Sequence, residues 1–311
     1  MVEHMTNPVC KLLRIEFPIL LGGMLYAGKA RLAAAVSEAG GLGVLGSGRI
    51  RPEELVKEIE TVKELTGKPF GVNIPMRVPQ PEVLIEAALK ASVKVFATSG
   101  GNPAKYVERI KQAGGTIIQV VASVRQAVSA QSVGVDAIVA EGGESGGIVS
   151  RDLVSTLTLV PQVVDAVNVP VIAAGGIADG RGMAAAFALG AQGIQMGTRF
   201  LATAECEIPK TYKQALIMAD DTDTWVFTNA SGIGLRSLKK DLLQRVVENT
   251  TKGRPGCLEP VNGKYHGHAA GQSAGLVREI LPAGEIIQRI LSQAKMASTN
   301  LMSFFADNCD R

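Results

Sequence analysis

The sequence is poor in cysteine, histidine and aromatic residues, and it has no strong excess of charge of either sign. Its four cysteines are widely spaced without a Cys-x-x-Cys pair, which disfavours a disulfide framework and a zinc site. The 32 basic and 29 acidic residues are interleaved, so no basic stripe predicts nucleic-acid binding. No run of about 18 apolar residues predicts a membrane span, and no N-terminal apolar segment resembles a signal peptide. These absences predict a cytoplasmic protein that has no bound metal and contacts neither nucleic acid nor membrane.

Glycine, by contrast, is abundant: 35 of the 311 residues are glycine, well above the average share of about 7%. High aliphatic content and the lack of long polar tracts exclude disorder as the explanation. The length suits one barrel-sized domain with an appendage, or two ordinary domains. The positions of the glycines therefore need an explanation of their own.

Short apolar runs alternate with longer helical patterns as far as about residue 200. A strand-plus-helix unit every 20–30 residues or so requires parallel strands joined by right-handed crossovers. Eight strands fit a closed (β/α)8 barrel better than an open doubly wound sheet, which has about five or six. We therefore predict the α/β class and a TIM (β/α)8 barrel. The predicted strands are Ile19–Leu21, Leu42–Leu45, Phe70–Ile74, Val93–Thr98, Thr116–Val121, Ala137–Ala140, Val169–Ala173 and Gly193–Met196.

The alternation stops after Phe200, where the chain becomes more polar and then glycine-rich. We predict a barrel over residues 1–204 and a smaller lid or substrate domain over residues 205–275, inserted after strand 8. Trp225, within that lid, is expected in a packed core. Residues 276–311 are predicted to form a helix that returns to the barrel, followed by a ragged tail from Ser298.

Glycines cluster directly after the predicted strands, at the end of the barrel where enzymes of this fold keep their sites. The loops after strands seven and eight contain Gly175-Gly176 and Gly197-Thr198. These two loops commonly form a phosphate site in barrels, because unobstructed backbone N–H groups and a hydroxyl donate to phosphate oxygens. One pair alone would be explained by a tight turn, whereas both pairs together favour a phosphate-bearing cofactor. The P-loop and Rossmann glycine motifs are absent.

The segment Pro170–Thr203 resembles the phosphate-binding half of the FMN-dependent barrels of the nitronate monooxygenase, or 2-nitropropane dioxygenase, superfamily. The similarity covers most of residues 15–295. Gly101–Ile110 and Ala270–Val277 are closer to the type II, flavin-dependent enoyl-acyl-carrier-protein reductases than to the monooxygenases, and Val120 stands where the monooxygenases often have lysine. Further similarity lies in Phe17–Met24, Ala39–Gly46, Pro69–Ile74 and Ala140–Gly147.

The resemblance implies FMN as the cofactor and NAD(P)H as the reductant. It implies a small-molecule or acyl-thioester substrate, with acyl carrier protein as one candidate partner and a homodimer as one candidate assembly. The implied cofactor contacts are Gly22, Gly23 and Met24 along the flavin ring, Asn73 at its edge, Glu141 and Gly146 at the ring or ribityl chain, and Ala174, Gly175, Gly176, Gly197 and Thr198 at the phosphate.

The catalytic group is left open by the sequence. In this superfamily the glycine motif after strand six normally continues into a histidine, whereas Ile148 follows Gly147 here. Isoleucine can neither accept a proton nor donate a hydrogen bond, so deprotonation of a nitroalkane at this position is disfavoured. Other candidates are Ser145, His266 and His268, although both histidines are equally explained as exposed loop residues.

The activity implied by the resemblance is therefore reduction of an activated C=C bond, such as that of an enoyl thioester, as in fatty acid biosynthesis. Two alternatives stay open. One is a nitronate monooxygenase. The other is a flavin-binding subunit whose activity has changed or disappeared together with the histidine.

Overall fold

A computed structural model describes residues 7–48, 50–228, 234–239 and 268–308. Its main sheet has eight parallel strands in the order β1-β9-β8-β6-β5-β4-β3-β2. A parallel bridge between Leu20 and Leu42 joins the first and last strands of that order into a ring. The predicted TIM barrel is confirmed. Its strands are β1 Ile19–Leu21, β2 Gly43–Gly46, β3 Phe70–Pro75, β4 Val95–Ser99, β5 Thr116–Val121, β6 Ala137–Glu141, β8 Val171–Ala174 and β9 Gly193–Met196.

Helices alternate with these strands and cover the outside of the barrel. Several begin and end on recognisable local signals. Asp179 accepts from the backbone N–H groups of Arg181 and Gly182 at the start of α8, and Gly114 and Gly134, in the left-handed region, follow α5 and α6. The helices are α1 Pro8–Leu13, α2 Ala30–Glu38, α3 Pro52–Leu65, α4 Pro81–Lys90, α5 Ala104–Gln112, α6 Val124–Ser132, α7 Thr156–Ala166, α8 Gly180–Ala188, α9 Thr198–Leu201, α10 Lys210–Met218 and α11 Ala283–Asn308.

The core lies between the barrel strands and this helical layer. Strands β1, β2, β8 and β9 are buried at every position, as expected of parallel strands covered on both faces. Helix α11 packs closely on α8, since a Cβ on Gly180 would lie only 2.3 Å from the carbonyl oxygen of Ile290. This close packing joins the C-terminal helix to the barrel wall.

A second sheet has three antiparallel strands in the order β10-β11-β7, formed by Thr224–Thr228, Gly234–Leu238 and Gly147–Val149. Strand β7 follows the glycine loop after β6 directly, so the barrel and the second sheet are connected through that loop. The sequence patterns did not predict these strands. Residues 229–233 and 240–267 of the predicted lid, which include the candidate His266, lie outside the described residues.

Two expectations from the sequence are wrong. Helix α11 continues to Asn308, so the predicted ragged tail from Ser298 is helical, although its side chains stay exposed as far as Ala306. Trp225 is 43% exposed and lies on β10 rather than in a packed core. In the described part of the chain, no helix is long and apolar enough to cross a membrane.

Candidate functional site

The carboxyl ends of the barrel strands bring most of the predicted site residues to one edge. Gly22 follows β1 and its N–H donates to the carbonyl oxygen of Met196 at the end of β9 (2.9 Å). Gly142 follows β6 and donates to the carbonyl oxygen of Ala174 at the end of β8 (2.9 Å). Because parallel strands end together at this face, residues far apart in sequence become neighbours.

The loop after β1 contacts both Asn73 and the loop after β9. A Cβ on Gly23 would lie 2.3 Å from the Cβ of Asn73, so no larger residue fits there without moving the loop. Met24, in the same loop, lies close to Gly197 after β9, because a Cβ built on Gly197 would lie 3.5 Å from the Met24 sulfur atom. The residues expected along a flavin ring therefore lie beside one residue of the expected phosphate loops.

Asn73 is buried on β3, and its amide nitrogen donates to β4. The Nδ2 atom lies 3.2 Å from the carbonyl oxygen of Ala97 and 3.4 Å from the Oγ atom of Ser99. The side chain is 5% exposed. These bonds fix the orientation of the Asn73 amide before any ligand binds.

The glycine loop after β6 is packed against backbone on two sides. A Cβ on Gly143 would lie 2.6 Å from the backbone of Leu153, and a Cβ on Gly146 would lie 2.6 Å from the backbone of Ala270 and Gly271. The buried Arg236 of β11 donates to the carbonyl oxygen of Gly143 through Nε (3.2 Å) and Nη2 (2.8 Å). This loop needs glycine because neighbouring segments approach its Cα atoms directly.

Glu144 binds within the protein rather than pointing into open space. Its carboxylate accepts from the N–H of Thr156 (2.9 and 3.0 Å) and from the Thr156 hydroxyl (2.9 Å). Thr156 is the first residue of α7, so the carboxylate lies at the positive end of that helix. The position of Glu144 therefore orients the loop that carries Ser145 and Gly146.

Glu141, at the end of β6, has the most perturbed carboxyl group near the site. Desolvation by burial disfavours its charged form and raises its pKa to about 7. At neutral pH this carboxyl is therefore divided between protonated and ionised forms. It can donate a hydrogen bond to a ligand as well as accept one.

The residues expected at a phosphate adopt conformations that suit backbone donors. Gly175 and Gly176 have φ angles of +98° and +71°, which favour glycine. Ala174 is buried just before them. Thr198 begins α9, and its hydroxyl oxygen accepts from the N–H of Gly271 (2.9 Å). Because the Thr198 hydroxyl oxygen is the acceptor in this contact, the hydroxyl can still donate a hydrogen bond to an anion.

The residues present fit a flavin phosphate. The Oγ atom of Ser145 is buried and has no hydrogen-bond partner within the described structure. Leaving a buried hydroxyl unpaired costs about 1–3 kcal/mol, so a polar partner is expected there. The orphaned Ser145 hydroxyl and the left-handed Gly175-Gly176 pair match what a phosphate-bearing cofactor requires. In the described part of the chain, no three His, Cys, Asp or Glu residues group as metal ligands.

Ile148 lies on β7 with its side chain 49% exposed. It pairs with Leu235, which pairs in turn with Phe227. Directly paired residues share a face of a sheet, as do residues two apart in one strand. Trp225 is on that face too, with its ring 5.2 Å from the Phe227 ring. We call these four residues, Ile148, Leu235, Phe227 and Trp225, the apolar sheet face.

His268 lies in the segment that supports the glycine loop. Its ring packs edge-to-face on Tyr212, with centroids 4.5 Å apart, and its Nδ1 atom is buried without a hydrogen-bond partner. Burial lowers the pKa of the imidazole and favours the neutral form. The explanation of His268 as an exposed loop residue is therefore wrong, and within the described residues no hydrogen bond joins its ring to the Ser145 hydroxyl.

Sequence reasoning missed Thr156, Arg236 and Gly271, which hold the glycine loop and Thr198 in place. Although Gly271 lies in the similar segment Ala270–Val277, no motif indicates these contacts, because each contact joins segments that are distant along the chain. Gly271 lies 73 residues from Thr198, and Arg236 lies 93 residues from Gly143. Spacing along the chain therefore contained no signal for these contacts.

Comparison with known proteins identifies the family and supports the fold. The family model described as nitronate monooxygenase matches residues 6–91 and 82–293. A "probable nitronate monooxygenase" of Staphylococcus aureus is 34% identical over 286 residues, covering 78% of this chain and 81% of the relative. A Mycobacterium tuberculosis relative, "(3aS,4S,5R,7aS)-5-hydroxy-7a-methyl-1-oxo-octahydro-1H-indene-4-carboxyl-CoA dehydrogenase", is 37% identical over 254 residues, covering 81% of this chain and 71% of the relative.

Among solved structures, FabK from Thermotoga maritima is similar over 95% of this chain and 98% of its own, with 44% identity and a TM-score of 0.86. A nitroalkane oxidase from Streptomyces ansochromogenes is similar over 94% of this chain and 99% of its own, with 27% identity and a TM-score of 0.79. The resemblance drawn from the motifs, to this superfamily and most closely to its enoyl-reductase branch, is confirmed.

Proposed function

The chain belongs to the nitronate monooxygenase family of flavin-dependent oxidoreductases, and we propose that it is an FMN-dependent reductase of enoyl thioesters that uses NAD(P)H. The observation that carries the proposal is the apolar sheet face beside the glycine loop. Ile148 lies only two residues beyond Gly146, within about 7 Å of it along an extended chain. A hydrocarbon chain bound there would be shielded from water by aliphatic and aromatic side chains.

The chain's own residues would bind and orient the two partners. Gly175, Gly176, Gly197 and the Thr198 hydroxyl would hold the phosphate of FMN, and Asn73 would contact the edge of its ring. When bound, a flavin supplies hydride transfer between the nicotinamide and the β-carbon of the enoyl group. The α-carbon then needs one proton, and the proposal takes it from water, because Ile148 has none to give.

The test uses the purified protein loaded with FMN. Crotonyl-CoA and longer enoyl thioesters are added with NADH or NADPH, and oxidation of the nicotinamide is followed at 340 nm while the saturated thioester is identified by mass spectrometry. We expect one saturated thioester for each nicotinamide oxidised. Anaerobic stopped-flow mixing measures the first half of the reaction alone, and a flavin that neither NADH nor NADPH bleaches would contradict the proposal.

Nitronate oxidation is the second candidate, because relatives with that printed name are 34% identical to this chain. Oxygen uptake with propionate-3-nitronate distinguishes it from enoyl reduction. We expect little uptake by the natural protein and a higher rate for Ile148→His, whose imidazole supplies the missing base. Ile148→Val serves as the control, since it changes the side chain without adding a titratable group.

A third candidate is a flavin-binding subunit with altered or lost activity. It is favoured only by the presence of Ile148 at the position where the family normally has histidine. It predicts a protein that purifies with bound flavin and turns over neither enoyl thioesters nor nitronates. The two assays above therefore separate all three candidates.

A further inference from the structure

A cavity of about 400 Å³ opens among the loops that follow β4 and β5. In the ring of strands these two lie opposite the β9 and β1 edge that carries Gly197 and Gly22. Its lining includes Gly100 and Gly101 after β4, Gln119 at the end of β5, Gln126 on α6, and the guanidinium-bearing Arg77 and Arg125. The volume lies within the range of about 300–1,000 Å³ typical of small-molecule sites.

The charge of this cavity is entirely positive. Arg77 and Arg125 are its only charged lining residues, and no carboxylate lines it. Arg77 donates through Nε to the carbonyl oxygen of Gly100 (2.7 Å), and within the described residues neither guanidinium forms an ion pair. Nearby Arg109, in contrast, is paired with Glu86 at 2.8 Å. Two guanidiniums without a carboxylate partner attract anions, and their planar donors match phosphate oxygens.

The cavity wall is held in place by hydrogen bonds. Gln119 is 4% exposed, and its Nε2 atom donates to the carbonyl oxygens of Gly101 (3.1 Å) and Val120 (2.8 Å). Its Oε1 atom accepts from the Thr98 hydroxyl at 2.5 Å. Gly100 has a φ of +67°, which favours glycine. The loop therefore has its shape before a ligand arrives, which reduces the entropy lost on binding.

The cavity is also connected to the candidate flavin site. Asn73, the residue expected at the edge of the flavin ring, donates to the Oγ atom of Ser99 (3.4 Å). Ser99 is directly followed by Gly100 and Gly101 of the cavity wall. The cavity wall and the candidate flavin site are therefore joined through three consecutive residues, from Ser99 to Gly101.

We propose that Arg77 and Arg125 form a subsite for the phosphorylated adenosine of a nucleotide coenzyme, and this inference rests on the proposed function. The reaction has two molecules with such a group: a ribose 2′-phosphate belongs to NADPH, and a ribose 3′-phosphate belongs to an acyl-CoA. Their shared chemistry is a phosphate monoester on an adenosine ribose. Binding at this subsite leaves the nicotinamide or the thioester free to reach the flavin.

The experiment uses the FMN-loaded protein and two unreactive probes, 2′,5′-ADP and 3′,5′-ADP, in isothermal titration calorimetry. We expect one probe to bind at least tenfold more tightly than the other, which identifies the coenzyme. Arg125→Ala and Arg77→Ala should each weaken that binding about tenfold, and the double variant about 100-fold, because each removes charge-assisted hydrogen bonds to phosphate. Arg125→Lys should weaken it less, since the charge remains.

Arg14→Ala is the matched control, because Arg14 is an exposed arginine after α1 that lines no part of this cavity. It should leave the affinity unchanged. The inference is overturned if neither probe binds, or if the double variant binds as tightly as the natural protein. Neither probe is reduced or oxidised, so a failure of enoyl reduction would not alter this result, and a failure of probe binding would leave the turnover assays standing.

Discussion

Glu141 lies at the carboxyl end of β6, where burial raises the pKa of its side chain from 4.5 to about 7. The folded state therefore favours the protonated carboxyl more than the unfolded state does. Ionisation of Glu141 therefore lowers the free energy of unfolding. This loss of stability is absent below about pH 4.5, grows as the pH rises towards 7, and is constant above that value. A residue of the proposed cofactor site thus lowers stability at neutral pH.

We expect Glu141→Gln to raise the free energy of unfolding of the flavin-free protein at pH 8. A shift from 4.5 to about 7 corresponds to a gain of about 3–4 kcal/mol, at ~1.4 kcal/mol per pKa unit. At pH 4.5 or below the variant and the natural protein should be equally stable. Urea unfolding at pH 4.5 and pH 8 measures the difference, and Glu108→Gln, at an exposed position on α5, is the control. Equal stability at both pH values would contradict the assigned burial.

Gly176 adopts a left-handed backbone conformation within the proposed phosphate loop, at φ +71°. A Cβ there would meet no atom nearer than 3.6 Å, so Gly176→Ala changes the backbone preference more than the packing. We expect a stability loss of about 1 kcal/mol together with FMN affinity weakened about tenfold or more, because the loop N–H groups lose their arrangement.

Gly134→Ala provides the comparison for this prediction. Gly134 has a φ of +90° at the turn after α6, and a Cβ there would meet no atom nearer than 3.7 Å. It should lose similar stability but keep normal FMN affinity in a fluorescence titration. Equal FMN affinity in both variants would show that Gly176 does not form part of the phosphate site.

Among the elements, β11 has the clearest connection to the site. Its Arg236 is 7% exposed and donates twice to the carbonyl oxygen of Gly143. Burial lowers the pKa of this guanidinium, while the charge of Glu144 opposes that shift. The strand thereby holds the glycine loop of the barrel against the second sheet.

Arg236→Met keeps much of the side-chain volume but removes the donors, so the Gly143 carbonyl loses a buried partner. We expect a loss of about 1.5–3 kcal/mol and faster amide hydrogen exchange in the loop from Gly142 to Gly147. Arg181→Met, which breaks an exposed ion pair with Asp179, should change neither quantity appreciably. If both variants behaved alike, Arg236 would have no special role in holding the loop.

The sequence predicted the barrel strands because parallel strands buried on both faces are continuous apolar runs, as in Val171–Ala174. The strands of the second sheet had no comparable signal. Strand β7 has three residues, begins with a glycine, and pairs with a strand more than 80 residues later. Gly175 and Gly176 could be predicted as phosphate-site residues because their loop has a fixed place in the fold, whereas Arg236 depends on a tertiary contact that no local pattern encodes.

At the scale of the whole molecule, helix α11 has a buried half and an exposed half. Ile286, Ile287 and Ile290 are buried, whereas Leu301 and Met302 are 49% and 73% exposed. The N-terminal half therefore belongs to the core of the barrel wall. The rest extends beyond the helices that it packs on.

We expect deletion of residues 298–311 to change the free energy of unfolding by less than about 1 kcal/mol, because surface positions contribute little. Ile287→Ala should cost about 2–5 kcal/mol, since it opens a cavity between helices. Urea unfolding of the two variants under one set of conditions makes the comparison. A large loss on deletion would mean that the exposed turns pack on some part of the protein.

Strand β7 pairs with β11 through backbone hydrogen bonds, which do not depend on side-chain identity. The side chains at positions 148, 227 and 235 can therefore be exchanged without breaking the sheet, while Arg236 on the opposite face keeps its contact with the barrel. Such an arrangement separates what an enzyme must preserve from what it can vary. Descendants of one ancestral barrel could acquire new substrates by altering a few outward-facing positions, and the glycine loop after β6 would not have to be rebuilt each time.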